Sequence, residues 1–372
     1  MAFENTDRLC KEAVERLDFP SLVIALGDAK GVYFKKAYGH SRVIMNEDEP
    51  EGIFRGPVPH NAVPATVDTL YDMASLSKLI SPTMIALRLL EEGYITLFDT
   101  VGRFFSDAPE DKRDITVLHL MTHQSGITPH FPLYKDCASP KDIYTAILNR
   151  PLAYQTGEKT AYSCMGYILL GRMLELARGM ALPDMARLYV FEPLEMKKTG
   201  YNPKNDGTLS GMNIAATEWS PALKRYKQGE VHDENNMFSG GSVGNAGVFS
   251  CIDDMCNFGM MLASGGNYRG KTYLAPRTFE KAITNFTPQG PECRGLGFQL
   301  TTPGINSSGD LFSPLSYGHN GFTGTSLYVD RETGFFLCLL TNRVHFTRAS
   351  SALFRFRRVI HNAAITEYQG CL

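Results

Sequence analysis

The sequence predicts an α+β protein: an antiparallel β-sheet flanked by helices, with a mostly helical lobe inserted between two halves of the sheet lobe. Three observations carry this. Apolar hairpin signatures lie near both ends of the chain, a helical pattern closes it, and the middle is dominated by amphipathic helical runs. At 372 residues the chain is long enough to bury a substantial core in two packed lobes. The divisions expected are 1–74 with 230–372 for the sheet lobe and 75–229 for the helical lobe.

The elements follow in order. Leu9, Cys10, Ala13, Val14 and Leu17 recur at helical spacing behind Asn5 and Thr6, which read as caps. Ser21 to Leu26 and Val32 to Tyr38 are apolar runs joined by Gly27-Asp28-Ala29-Lys30-Gly31, a hairpin signature. Thr116 caps an apolar run that Gly126 stops, Tyr162 to Ala177 is amphipathic, and Met185 to Val190 reads as a short helix. A second hairpin runs from Thr325 to Val329, turns at Asp330 to Gly334 and returns through Phe335 to Thr341. Thr347 to Ile365 then reads as a helix with Ala352, Phe356, Val359, Ile360 and Ala363 on one face.

Leu79-Ile80-Ser81-Pro82-Thr83 leaves two readings open. Ser81 can cap a helix with Pro82 in its first position, or one longer helix can run from Ser75 to Glu92 and kink at Pro82. Either keeps Ser75 and Lys78 on one turn; the kinked single helix is favoured.

Composition excludes several functions. The 37 basic and 39 acidic residues show no long single-sign run, which argues against a nucleic-acid partner, and no apolar run reaches the length of a membrane span. Met1 to Leu17 lacks the basic-then-apolar layout of a secretory signal, and the eight scattered cysteines form no C-x-x-C pair. A reducing, cytoplasmic location is the expectation, with an extracytoplasmic one open if a leader was removed. The nine histidines show no metal-ligand spacing, and the glycine-rich loop at 240–247 lacks a phosphate-binding lysine.

The chemistry-bearing stretch is Ala74-Ser75-Leu76-Ser77-Lys78. At i and i+3 of a helical turn, Lys78 can point its amine at the Ser75 oxygen, and a serine hydroxyl becomes a good nucleophile only when a base takes its proton. Alone the pattern is weak, since roughly one chance S-x-x-K match is expected in a chain of this length. Two further fragments strengthen it: Tyr162-Ser163-Cys164 ahead of a helical run and His319-Asn320-Gly321 ahead of a strand-like run.

Together these fragments resemble the serine β-lactamase and penicillin-binding-protein superfamily, in particular its class C-like branch of esterases, D-amino-acid peptidases and DD-peptidases. The similarity runs from about Phe19 to Asn342 and includes Thr116 to Gly126, Val231 to Asn235 and Gly318 to Thr325. It implies a β-lactamase/transpeptidase-like fold and a serine acyl hydrolase working through an acyl-enzyme, with no metal or organic cofactor. Ser75 would be the nucleophile, Lys78 and Tyr162 the proton movers, and the backbone N–H groups of Ser75 and Phe322 the oxyanion hole. Cys164, His319, Asn320 and Gly321 would contact the substrate, an ester, an amide or a β-lactam.

Two positions depart from the family pattern. Cys164 stands where the resemblance implies asparagine, and a thiol is a weak donor and acceptor. His319 stands where β-lactamases carry lysine, so a fixed charge for a substrate carboxylate is weakened. Both favour an ester or small amide, with DD-peptidase-like binding and β-lactam hydrolysis as alternatives. A non-catalytic relative that binds a ligand or peptide is the alternative of another class. Lys78 is expected to be depressed in pKa by burial and a neighbouring cation, and Gly321 to leave room for substrate. Asn245 reads as a cleft wall or a plain turn residue, and His123 as a structural hydrogen-bonder. Trp219 and Tyr154 are candidates for an acyl pocket. Gly240-Gly241-Ser242-Val243-Gly244 fits the nucleophile-elbow pattern, but the polar run His232 to Asn236 ahead of it is no buried strand.

Overall fold

The computed structural model describes residues 3–43, 58, 59 and 61–370. Helix α1 (Glu4–Glu15) leads into β1 (Ser21–Asp28), β2 (Gly31–Arg42) and the short β3 (Val63–Pro64). After a long central region come β4 (Gln299–Leu300), β5 (Tyr317–Asn320), β6 (Ser326–Val329) and β7 (Phe336–Thr341). These form one antiparallel sheet in the order β4-β5-β6-β7-β1-β2-β3. The pairing of β1 with β7, Val23 opposite Leu340 and Ala25 opposite Cys338, is where the two ends of the chain meet.

Period-two alternation divides the sheet's side chains between two cores. Leu22, Ile24, Leu26, Tyr328, Leu337 and Leu339 pack beneath α1 and the C-terminal helix α2 (Ala352–Gln369). Val23, Ala25, Leu327, Val329, Cys338 and Leu340 face the larger core, which includes Met255, Phe258 and Leu262 of the helix Ile252–Ala263. Complete burial of Leu22, Ile24 and Leu26 contributes about 1.5–3 kcal/mol each.

Asn5 and Thr6 are not caps. The first helix begins at Glu4, and both residues lie in its first turn. Its free amides are satisfied from the far end of the chain: Glu367 accepts from Asn5 N at 2.7 Å, Thr6 N at 3.0 Å and Thr6 Oγ1 at 2.6 Å. Leu17 falls outside the helix, at φ 59°.

Residues 74–91 form one continuous helical run, the kinked reading. It opens as a tight turn at Ala74–Leu76, widens into a π-type turn at Leu79–Thr83 and ends as a regular helix over Met84–Glu91. The wide turn absorbs Pro82, which has no N–H to donate and would clash in a regular helix. Ser81 is no cap; its hydroxyl accepts from Tyr201 Oη at 2.8 Å.

Thr116 caps the helix Val117–Met121 through a reciprocal pair with His119, each bond 3.2 Å. Cys164–Arg178 is a helix capped by Ser163, whose hydroxyl accepts from Gly166 N at 2.9 Å, so Tyr162 stands just outside it. Leu182 to Phe191 is helical around the expected Met185–Val190 segment. No described helix is long and apolar enough to cross a membrane.

Candidate active site

Three distant segments converge. Lys78, completely buried, donates from Nζ to Ser75 Oγ at 2.9 Å, to the Asn245 carbonyl at 2.7 Å and to Cys164 Sγ at 3.6 Å. Those three contacts use all three of an ammonium's donors. Tyr162, 37 % exposed, presents its ring 5.0 Å from Lys78 Nζ, 4.6 Å from the His123 ring and 6.1 Å from the His319 ring. Ser75, Lys78, Tyr162, Cys164 and His319 are therefore neighbours.

Backbone geometry fixes the position of Ser75. Ala74 sits at φ 45°, a left-handed conformation uncommon for a residue with a side chain, and its amide bonds Asp72 Oδ1 at 2.7 Å. Asp72 is in turn held by His232 N at 2.6 Å. Among the described residues the Phe322 amide has no backbone acceptor. The turn that carries Phe322 is tied directly to the segment ahead of Ser75. Thr323 Oγ1 donates to the Asp72 carbonyl at 2.7 Å and Thr325 Oγ1 to the Met73 carbonyl at 3.0 Å.

Gly321 is required by packing. A Cβ there would meet Thr325 Oγ1 at 2.1 Å and the Met73 carbonyl at 2.4 Å, so the glycine lets β5 close onto the segment bearing Ser75. Asn320 is not brought to the site by its side chain. Strand alternation turns it away from His319, and its amide donates to Gln299 Oε1 at 3.0 Å and Ser307 Oγ at 2.9 Å.

The expected depression of Lys78 is also corrected. Burial does disfavour its charge, but the acidic partners in reach, Cys164 first and then Tyr162, outweigh burial and hold the amine above the usual lysine range. Burial pushes the Tyr162 phenol up against the pull of Lys78, and it pushes the Cys164 thiol up as well. At neutral pH the phenol and the thiol keep their protons, and the Lys78 ammonium is met by the Ser75 oxygen and the Asn245 carbonyl. His319 is 3 % exposed; burial, then Arg294 and Lys78, lower its pKa to about 3, so the ring is neutral. Its Nδ1–H donates to the Asn320 carbonyl at 2.8 Å, which leaves Nε2 as an acceptor.

Residues that sequence reasoning missed or undervalued complete the site. Asn245 contributes its backbone carbonyl, and Asn236 Nδ2 pins that loop through Asn245 Oδ1, Val243 O and Ala246 O at 2.9–3.0 Å. His123, at φ 60°, accepts from Ser163 N at 3.1 Å and so fixes the segment that carries Tyr162. Arg294 lies with its guanidinium carbon 5.4 Å from the Tyr162 ring centre, though nothing in its sequence context marks it. Ser242 lies in a loop after the helix Glu234–Phe238, with no strand ahead of it, so it is no nucleophile elbow. Trp219 lines a pocket of about 570 Å³ with Tyr134, Met237 and Phe238. Tyr154 instead donates to the His123 carbonyl at 3.4 Å. Among the described residues no cluster of His, Cys, Asp or Glu is arranged to hold a metal ion.

The sequence model of the Beta-lactamase family matches residues 6–361. The chain belongs to that family. Among its relatives, an N-acetylmuramyl-L-alanine amidase of Bacillus subtilis (strain 168) is 30% identical over 357 residues, 88% of this chain and 78% of the relative. A putative D-alanyl-D-alanine carboxypeptidase of Salmonella typhimurium (strain LT2) is 30% identical over 361 residues, covering 88% and 79%. The unliganded simvastatin synthase of Aspergillus terreus superposes with a TM-score of 0.74 over 98% of both chains at 18% identity, a likeness of fold. This β-lactamase family member thus has the serine-hydrolase fold that its motif fragments imply.

Proposed function

We propose that this family member is a serine acyl hydrolase in which Ser75 attacks a carbonyl carbon and Tyr162 accepts its proton. The observation that carries the reading is Lys78, held between Ser75 Oγ, the Asn245 carbonyl and Cys164 with its amine beside the Tyr162 ring. With Lys78 held as an ammonium, its role is to favour the Tyr162 phenolate and to orient the Ser75 hydroxyl. In acylation Ser75 Oγ bonds to the carbonyl carbon, the carbonyl oxygen takes up negative charge opposite the Ser75 and Phe322 amides, and Tyr162 passes the proton to the departing group. Water then attacks the acyl-enzyme by the reverse proton path and restores Ser75. The cleft would lie between the sheet-bearing part of the chain and the helical part that supplies Tyr162.

The substrate favoured is an ester or small amide. Cys164 brings no carboxamide to hold an acylamide side chain, and neutral His319 brings no fixed charge for a carboxylate. The relatives named amidase and carboxypeptidase support amides of D-alanyl or muramyl type as the first to try.

A fluorophosphonate probe followed by peptide mass spectrometry tests the assignment. Label on the Ser75 peptide supports it, while label on Ser242 or none on folded protein overturns it. A panel of p-nitrophenyl esters, D-amino-acid amides and a chromogenic β-lactam then ranks the substrates.

A further inference from the structure

Tyr162 has two cations beside its ring. Lys78 Nζ is 5.0 Å from its ring centre and Arg294 Cζ is 5.4 Å. Arg294 is 5 % exposed, and its Nε has no hydrogen-bond partner among the described residues, an arrangement that is costly unless the charge is used. Its backbone is firmly held: its amide donates to Thr287 Oγ1 at 2.8 Å and its carbonyl accepts from Phe286 N at 2.8 Å. On the outer side the guanidinium pairs with Glu292, whose side chain is 32 % exposed. The inner side is turned to Tyr162.

We infer that Arg294 is a positioning residue whose fixed charge, in place of the lysine that His319 replaces, favours the phenolate of Tyr162 and so makes it a competent base. The inference rests on the proposed role of Tyr162 as proton acceptor. A cation near a phenol stabilises its ionised form, and a buried cation is poorly screened. The position 319 group cannot supply this charge, because its imidazole is buried and neutral. The other groups that face Tyr162 are Ser75, Lys78, Cys164, His123 and Tyr167, with Asp233 acting on Lys78 and Cys164. Of these only Lys78 is cationic at neutral pH. Glu292 opposes Arg294 from outside, so the sign of each charge change is defined.

The test is the pH dependence of kcat/KM on a neutral p-nitrophenyl ester for the full chain and for Arg294→Met, Arg294→Lys, Glu292→Gln and Tyr162→Phe. Arg294→Met should move the ascending limb about one pH unit upward and lower kcat/KM at pH 7 about tenfold, with the loss vanishing at high pH. Arg294→Lys should restore most of the limb position, because charge rather than fork geometry is at issue. Glu292→Gln should move the limb the other way, and it keeps the proposal testable if Arg294→Met does not fold. A limb unmoved in Arg294→Met and Glu292→Gln, or an equal loss at every pH, overturns the inference while leaving the Tyr162 reading intact. A Tyr162→Phe variant with undiminished kcat/KM overturns both.

Discussion

The Cys164 sulfur lies 3.6 Å from Lys78 Nζ, at the first turn of the helix that follows Tyr162. A thiol there leaves the lysine with one weak acceptor out of three and brings no carboxamide of its own. Cys164→Asn should raise kcat/KM for an amide relative to an ester of the same acyl group about tenfold. An unchanged ratio would mean that the side chain at 164 touches no substrate.

Burial raises the Tyr162 phenol above its ordinary value. A base with a raised pKa is mostly protonated at neutral pH, so kcat/KM should climb with pH and reach its plateau on the alkaline side of neutrality. Tyr162→Phe should lower the plateau by roughly two to four orders of magnitude, the usual contribution of a positioned base. A profile already flat below pH 7 would exclude the phenol as the titrating group.

His319 is neutral and offers only Nε2 to the cleft. Replacing it by lysine introduces a cation beside Tyr162 and the Ser75 helix. His319→Lys should improve kcat/KM for a carboxylate-bearing ester over its neutral counterpart by about tenfold. No gain in that ratio across a matched series would place residue 319 out of contact with the substrate's carboxylate end.

Buried histidines should make the fold labile to acid. Burial lowers His319 and His361 to about 3 and His345 to about 4. In the unfolded chain each takes a proton near pH 6.5, in the folded chain only well below, so their stabilisation is complete above pH 6.5 and is lost as pH falls toward 3–4. The loss is about 1–2 kcal/mol per histidine by pH 5. Asp254, raised to about 6 by burial, works oppositely and offsets part of it. The urea midpoint should fall between pH 7 and pH 5, and a midpoint constant over that range would show that these rings are hydrated.

Glu367 caps the first helix from the other end of the chain. Glu367→Ala should cost about 1–2 kcal/mol in chemical denaturation and leave kcat/KM unchanged, since it touches only the outer layer. A change in kcat/KM would show that the terminal helices are coupled to the site.

Local pattern was sufficient for much of the molecule. The two hairpins, the helix behind Ser163 and the Ser75–Lys78 pair depend on turn chemistry and on spacing within a few residues, and both are written in adjacent side chains. The family resemblance then supplied Tyr162, Cys164 and His319 as one constellation, although Asn320 turned out to face the other side of its strand. Local pattern failed where the group that does the holding lies far away along the chain. The Asn245 carbonyl on Lys78 and the Glu367 carboxylate on the first helix are contacts between residues 167 and more than 360 positions apart.

What the sequence determined by itself is the class of fold and the pairing of Ser75 with Lys78 on one turn, because helical and strand periodicity and an i, i+3 pair are local properties. Only the tertiary structure decided the protonation of the site. Charge in a buried place depends on which groups arrive from elsewhere, and here the Asn245 carbonyl meets the Lys78 ammonium, burial silences His319, and Arg294 stands against the ring of Tyr162.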